Sequence, residues 1–288
     1  MPLKRFTKSV LTADCLPLIG DFDCGSSQHS DFDKLNAFLK ERALEYNQDH
    51  FSRTNIYHED GKCAAYYSLS MNAINGKKID VDDQYRSLKS YPALFLTRFA
   101  VDKKYQRSGI GRGVINDIIM NAYRDGEVAA RFLYVDASPM SVSWYLGNPL
   151  FTVLYSELTE RIEQCIESHI IEKLNKRLVE GHPIEFVLSV EGELESLKKN
   201  SEKILIAHVK DIFNDLCETI TIFTDCNSKI KLTFENNKPK ITLDNFNTRQ
   251  NHEGIRDWLK QADNVLNLDI TVPLYLDMKK YYMALYGC

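Results

Sequence analysis

No Cys-x-x-Cys pair occurs among the seven cysteines (Cys15, Cys24, Cys63, Cys165, Cys217, Cys226 and Cys288), and an odd number is awkward for a disulfide framework. They read as reduced thiols of a cytoplasmic protein. The histidines are scattered, with no His-x-x-x-His pair and no close His/Cys cluster, so no metal site is expected. No window approaches the roughly 18 consecutive apolar residues that span a bilayer, so no membrane segment is expected. Lys4, Arg5 and Lys8 make a basic start, but Asp14, Asp21 and Asp23 interrupt the next stretch before a signal-peptide core can form.

A basic surplus is also missing. The chain carries a net charge of −4 at pH 7, so a nucleic-acid partner would have to be met by a local patch. Cut at residue 155, the first part holds 19 Lys and Arg against 18 Asp and Glu, about +1, and the second holds 17 against 22, about −5. No internal repeat, low-complexity run or flexible linker divides the chain. What is present is length and apolar content: 288 residues, 44% of them hydrophobic, suffice for two domains with cores of their own. A change of composition places the boundary near 155, giving domains at 1–155 and 156–288.

In the first part, Leu35, Phe38, Leu39, Ala43 and Tyr46 recur at helical spacing and predict an amphipathic helix over 34–47. Strands are expected at Arg53–His58 and Lys62–Met71, joined by a tight turn at Asp60-Gly61. Residues 75–90 read as a loop. Ala93–Val101 fits a central buried strand, Val114–Tyr123 a helix and Arg131–Ala137 a second buried strand. Strand, glycine-rich turn, helix and strand in that order predict parallel pairing of the two strands.

After residue 155, Leu158, Ile162, Ile166, Ile170, Leu174 and Leu178 predict a helix over 157–179. Glu185–Val190 reads as a short strand and Ile204–Leu216 as a helix. Ile230–Phe234 and Lys240–Leu243 form a hairpin with one wet face. Glu253–Ala262 reads as a last, surface helix.

The segment with the most chemistry is Gln106-Arg107-Ser108-Gly109-Ile110-Gly111-Arg112-Gly113. A phosphate-binding turn needs converging amides, no obstructing side chain and a helix starting at the anion, and the glycines of this segment meet those needs. The spacing is not that of a dinucleotide fingerprint, and no nucleoside-triphosphate loop is present. What remains is Gln-x-x-Gly-x-Gly after a strand ending Arg98-Phe99-Ala100-Val101-Asp102. This resembles the cofactor motif of the GNAT superfamily of N-acetyltransferases, whose loop grips the pyrophosphate of acetyl-CoA.

Within that superfamily, residues 5–153 are similar to the tRNA-acetylating toxins of type II toxin-antitoxin systems. The pieces that match are Phe22-Asp23-Cys24-Gly25 before Leu35-Asn36-Ala37-Phe38-Leu39, then Ala65–Ser70, then Tyr91-Pro92-Ala93 leading into Phe99–Gln106. The resemblance implies a GNAT fold: an α/β arrangement with a mixed, mostly antiparallel sheet, a splayed parallel pair and flanking helices. A C-terminal α+β domain would come after it. The resemblance further implies that the backbone of Phe99, Ala100 and Val101 holds the pantetheine arm. Gln106, Arg107, Ser108, Gly109, Ile110, Gly111, Arg112 and Gly113 would hold the pyrophosphate, the two arginines by charge-assisted contacts. In Ser143-Trp144-Tyr145-Leu146-Gly147, Tyr145 takes the position of the family's general acid. No residue stands out as the general base. Cys24 could be read as a nucleophile, but the family transfers acetyl directly, and a structural thiol is the expectation.

The implied partners are acetyl-CoA as cosubstrate, an amine acceptor such as the α-amino group of aminoacyl-tRNA, an antitoxin protein and, by family habit, a second copy in a homodimer. Acetylation of a protein or small-molecule amine, and a non-catalytic CoA- or partner-binding module, stay open as alternatives. Two departures bear on the acceptor. Ser26–Asp33, with His29, reads as a longer connection before the first helix than the toxins have, and Pro149 comes soon enough after Tyr145 to end its helix early.

Overall fold

A computed structural model describes residues 3–26, 30–79, 81, 88–123, 129–147, 151–179, 207, 209–218, 229–236, 238–244, 257–262 and 270–286. The chain forms two compact units. One comprises Met1–Asp136, Leu150–Thr152 and Pro273–Cys288, the other Ala137–Pro149 and Val153–Val272.

The first unit is built on a seven-stranded sheet. Its strands are β1 (Thr7–Val10), β2 (Arg53–Glu59), β3 (Lys62–Asn75), β4 (Ser90–Val101), β5 (Phe132–Ala137), β6 (Phe151–Val153) and β9 (Val272–Asp277), in the order β1-β2-β3-β4-β5-β9-β6. The first four pair antiparallel with one another. Asp60 (φ 49°) and Gly61 (φ 73°) both take left-handed φ, as a two-residue turn between right-twisted strands requires, so the Asp-Gly expectation holds.

Strands β3 and β4 are longer than the sequence suggests. Asn72 and Asn75 look like turn residues, yet Ile74 pairs with Tyr91 and both are buried. Pro92 sits inside β4 at no cost to the ladder with β3. Its carbonyl accepts the Arg131 N–H at 2.9 Å on the opposite side, and the two backbone groups of one strand residue point the same way, so the missing N–H faces away from β3.

Strands β4 and β5 pair in parallel, as expected, but over three residues only: Ala93 with Phe132, Leu94 with Leu133 and Phe95 with Tyr134. Opposite Ser68 and Leu69 the register skips Thr97, a bulge that bends β4 just as its ladder with β5 ends. From there the two strands part. This is the mixed sheet with a splayed parallel pair that the resemblance implied.

Helices cover the sheet. Helix α1 (Leu16–Ile19) precedes a continuous helical run formed by α2 (Ser30–Ala37), a π-type turn (Phe38–Arg42) and α3 (Ala43–Gln48). That run begins at Ser30 rather than 34, so Ser30–Asp33 belong to a helix and not to a loop. Asp31 and Asp33 favour the earlier start because carboxylates in the first turn complement the helix dipole. Ile19, Phe22, Phe38, Leu39 and Ala43 pack with Ile56, Tyr66 and Ala100 of the strands in one core. Helix α4 (Ile110–Tyr123) buries Val114, Ile115, Ile118 and Ile119. Its middle is tied down at Asp117, whose Oδ2 accepts from Tyr57 Oη and Lys8 Nζ, each at 2.6 Å.

The chain's end returns to this unit. Strand β9 and helix α9 (Met278–Tyr286) have no counterpart among the elements expected from the sequence, the last of which ends at 262. Arg131 grips Asp277 through two parallel hydrogen bonds, 2.9 Å from Nε and 2.8 Å from Nη2, and the Met278 N–H donates to the Arg131 carbonyl at 3.0 Å. Tyr281 Oη reaches Asn116 Oδ1 on α4 at 3.4 Å.

The second unit holds α5 (Val142–Leu146) and the long α6 (Tyr155–Val179), which buries Leu158, Ile162, Ile166 and Ile170 at the expected spacing. Helix α7 (209–218) buries Ile212, Phe213 and Leu216. The expected hairpin is present as β7 (Lys229–Glu235) and β8 (Lys238–Asp244), and Glu163 of α6 accepts the Ile241 N–H at 3.1 Å. Helix α8 (257–262) is not a surface helix: Trp258, Leu259 and Ala262 are buried. The strand expected at Glu185–Val190 lies outside the described residues. No helix among the described residues is long and apolar enough to cross a membrane.

Candidate functional site

The end of β4 leads straight into the glycine loop. Asp102 N–H donates to the Ala64 carbonyl at 2.9 Å, which fixes the alternation along the strand: Ala100 points its backbone groups at β3, while Phe99 and Val101 point theirs to the β5 side, where the parallel ladder has ended. Of the three residues that the resemblance assigns to the pantetheine arm, Phe99 and Val101 turn their backbone to that side, whereas Ala100 is paired with Tyr66 of β3.

The loop then takes two left-handed residues, Arg107 (φ 60°) and Gly109 (φ 85°), on either side of Ser108. Ser108 Oγ hydrogen-bonds the Tyr105 carbonyl. Helix α4 starts at Ile110, whose side chain is buried as an anchor, and Arg107 and Arg112 are exposed beside it. The first amides of a helix have no carbonyl of their own helix to bond and carry the positive end of its dipole, the setting for a phosphate group. Gly113 N–H donates to the Gly109 carbonyl at 3.0 Å and so serves the helix. The amides before it, through Arg112, precede the intrahelical ladder.

Gln106 occupies a supporting place. Its Nε2 donates to two carbonyls, Cys24 and Val101, each at 3.0 Å, and so joins the loop to the turn before α2. That turn is itself held by Asp23. Its Oδ1 accepts from Gly25 N–H (2.8 Å), Ser26 N–H (2.9 Å) and Asn36 Nδ2 (3.1 Å), and its Oδ2 from Lys103 Nζ (2.7 Å). The Lys103 ammonium, followed by the Ser26 and Gly25 amides, holds the Asp23 carboxyl well below the usual carboxylate range. Asp102 completes the junction, accepting from the amides of Asp23 (3.0 Å) and Lys104 (2.9 Å). In the sequence, Asp23 and Asp102 stand within motifs that give them no role. A turn-forming Asp before Cys-Gly is the local signal, but the lysine that meets Asp23 and the glutamine that meets Cys24 lie about 80 positions away.

Cys24 is buried, and its Sγ contacts the Phe32 carbonyl at 3.6 Å. Burial pushes its thiol up to about 12, so it is a structural thiol and no thiolate nucleophile at neutral pH. Tyr145 lies on α5 in the second unit, buried to 5% exposure, with the half-exposed Trp144 ring edge-on at 4.9 Å. Burial raises its phenol above the ordinary value and keeps it protonated. Pro149 lies outside the described residues. A further concavity of the first unit, about 950 Å³ and lined by Leu44, Phe51, Arg53, Leu69 and Met71 among others, has no signal in the sequence.

No protein-family model matches the sequence, and no curated protein matches it. Several solved structures are similar to it over about half its length. A point mutant of KacT is 21% identical and covers 50% of this chain and 86% of its own, with a TM-score of 0.44. AtaT complexed with acetyl-methionyl-tRNAfMet is 20% identical over 51% of this chain and 86% of its own, at a TM-score of 0.43. A mutant AtaT toxin bound to the C-terminus of the antitoxin AtaR and acetyl-CoA is 21% identical over 52% and 86%, at a TM-score of 0.42.

Proposed function

We propose that this chain is an acetyl-CoA-dependent N-acetyltransferase of the GNAT type. The observation that carries the proposal is the arrangement at the end of β4. The strand leaves β5 at Phe95, turns the backbone of Phe99 and Val101 into the gap and runs directly into a loop with left-handed Arg107 and Gly109 at the start of α4. An extended arm ending in a diphosphate fits that geometry: backbone hydrogen bonds along the strand, then amides and a helix dipole for the anion.

Direct transfer needs a neutral amine. Its nitrogen lone pair attacks the thioester carbonyl carbon, the C–S bond breaks, the amine gives up a proton and the departing sulfur receives one. Tyr145, protonated at neutral pH, is the proton donor to the sulfur in this proposal. The acceptor we propose is the α-amino group of aminoacyl-tRNA, because the motif pieces that match the toxins occur in their order from Phe22 to Gln106. Acetylation there removes the nucleophile of peptide-bond formation and stops growth. An antitoxin partner and a homodimer are implied by the same resemblance.

The test is expression of the wild type and of Tyr145→Phe from an inducible promoter, with growth monitored and charged tRNA analysed by mass spectrometry. Growth arrest and an acetylated aminoacyl end, both lost in the variant, support the proposal. Acetyl groups found only on proteins or small amines would remove tRNA as the acceptor and leave the enzyme.

A further inference from the structure

We infer that Asp23 is a positioning residue for the donor loop, acting through the turn it organises, and this rests on the proposal that the loop binds the diphosphate of acetyl-CoA. Residues 102–106 do not stand alone. Lys103 N–H donates to the Asp23 carbonyl (2.9 Å), Lys103 Nζ to the Asp23 carboxylate (2.7 Å), and Asp102 accepts the Asp23 amide (3.0 Å). Gln106, the last residue before the left-handed pair, is fastened to the Cys24 carbonyl. Every one of these bonds ends on Asp23 or Cys24.

The turn is also fixed to α2. Asn36 donates to Asp23 Oδ1 and accepts the Cys24 N–H at 3.0 Å, and only 9% of its surface is exposed. The Asp23 carboxylate therefore gathers four donors, three from the turn and helix α2 and one from the strand end. It joins two segments that the chain keeps about 80 residues apart.

What this junction holds is the conformation of Arg107. A non-glycine residue at φ 60° persists where its surroundings leave no alternative. On the C-terminal side the loop is held by the buried Ile110 and by Asp117 in α4. On the N-terminal side it is held by Gln106 and Asp23. Between those holds lie Arg107 to Gly109, the residues that aim the loop amides. The carboxylate keeps its charge into acid, because its carboxyl lies well below the ordinary range, so the junction is intact across the neutral range. Its contribution to stability starts to fall below about pH 4, where the unfolded carboxyl takes up a proton, and the junction itself is lost only well below that.

Asp23→Ala leaves the Gly25, Ser26 and Asn36 donors and the Lys103 ammonium without their acceptor. The expected result is about tenfold weaker acetyl-CoA binding and a matching rise in the KM for acetyl-CoA. The kcat and the KM for the acceptor should stay within about twofold. Asp23→Asn retains one acceptor oxygen for the turn and should recover most of the loss, to within about threefold of wild type, and it serves in place of the alanine variant should that fail to fold. Hydrogen exchange of residues 107–112 in protein without ligand should speed up in Asp23→Ala.

Equal acetyl-CoA affinity in wild type and Asp23→Ala overturns the inference and leaves the function standing. A wild type that does not bind acetyl-CoA overturns the function instead. In that case exchange decides the junction: faster exchange at 107–112 upholds it, and unchanged exchange overturns it.

Discussion

At position 109 the backbone asks for something that only glycine supplies without strain. Its φ of 85° lies in the left-handed region, where a Cβ costs on the order of 1–2 kcal/mol. Gly109→Ala is therefore expected to weaken acetyl-CoA binding about tenfold, read by calorimetry, with little change in the melting temperature. Tyr145, as the proton donor we propose, makes a different demand, for a hydroxyl and not for a shape. Tyr145→Phe should bind acetyl-CoA as the wild type does while kcat falls by about 10² or more, as loss of a general acid does. Both residues are visible in the sequence, one because positive φ leaves its mark as glycine, the other through its place in a motif. Asp23 is visible only as a turn residue, because its importance lies in partners that local spacing does not reveal.

Cys24 and Cys63 carry a pH prediction at the same scale. Both are buried, and burial pushes each thiol up to about 12. An acid whose pKa rises on folding favours the folded state while it is protonated, so this contribution is full below the ordinary thiol value of about 9 and is lost as pH climbs from there towards 12. Unfolding midpoints in urea should fall above pH 9. Below it, neither cysteine should react with iodoacetamide in the native protein.

Among the elements, the outcome turned on pairing and burial more than on periodicity. The helix expected over 34–47 and the hairpin at Asp60-Gly61 come from local pattern and turn chemistry. The bulge at Thr97 does not, although it is what bends β4 away from β5. A bulge records the register of a neighbouring strand, which a single segment does not carry. Strand β9 is hidden for a related reason: Pro273 reads as a breaker, and nothing in 272–286 tells that it joins the sheet beside β5. Helix α8 reads as a surface element because four of the ten residues at 253–262 are charged, yet Trp258 is fully buried.

The grip of Arg131 on Asp277 makes the last strand testable. The two side chains are 18% and 12% exposed, and removing one partner leaves the other charge largely shielded from water. Asp277→Ala should cost about 3 kcal/mol, measured as a shift in the urea midpoint at unchanged slope. An equal midpoint would mean that β9 and α9 add little to the first unit.

For the whole molecule, the distribution of charge sets the terms on which it meets an RNA. Residues 1–155 near +1 and the remainder near −5 offer little general attraction to phosphate. If charged tRNA is the acceptor, its affinity should fall only gently with salt, with a log–log slope of about −2 to −3, as few neutralised phosphates would give. A steep slope would require a concentrated basic patch. The change of composition near 155, which falls close to where the long helix α6 begins, is legible in the sequence. The return of the chain's end to the first unit is not, because it depends on a sheet edge that exists only once the sheet has formed.

Release of free CoA thiol bears most directly on the central claim. Purified protein is mixed with acetyl-CoA and either charged tRNA, the same tRNA after deacylation, or a panel of peptide and small-molecule amines. The expected result is thiol release with charged tRNA, one acetyl group appearing on the α-amine per thiol, and none with deacylated tRNA or with Tyr145→Phe. Acetyl-CoA bound by the wild type without thiol release in the presence of any of these amines would contradict the account.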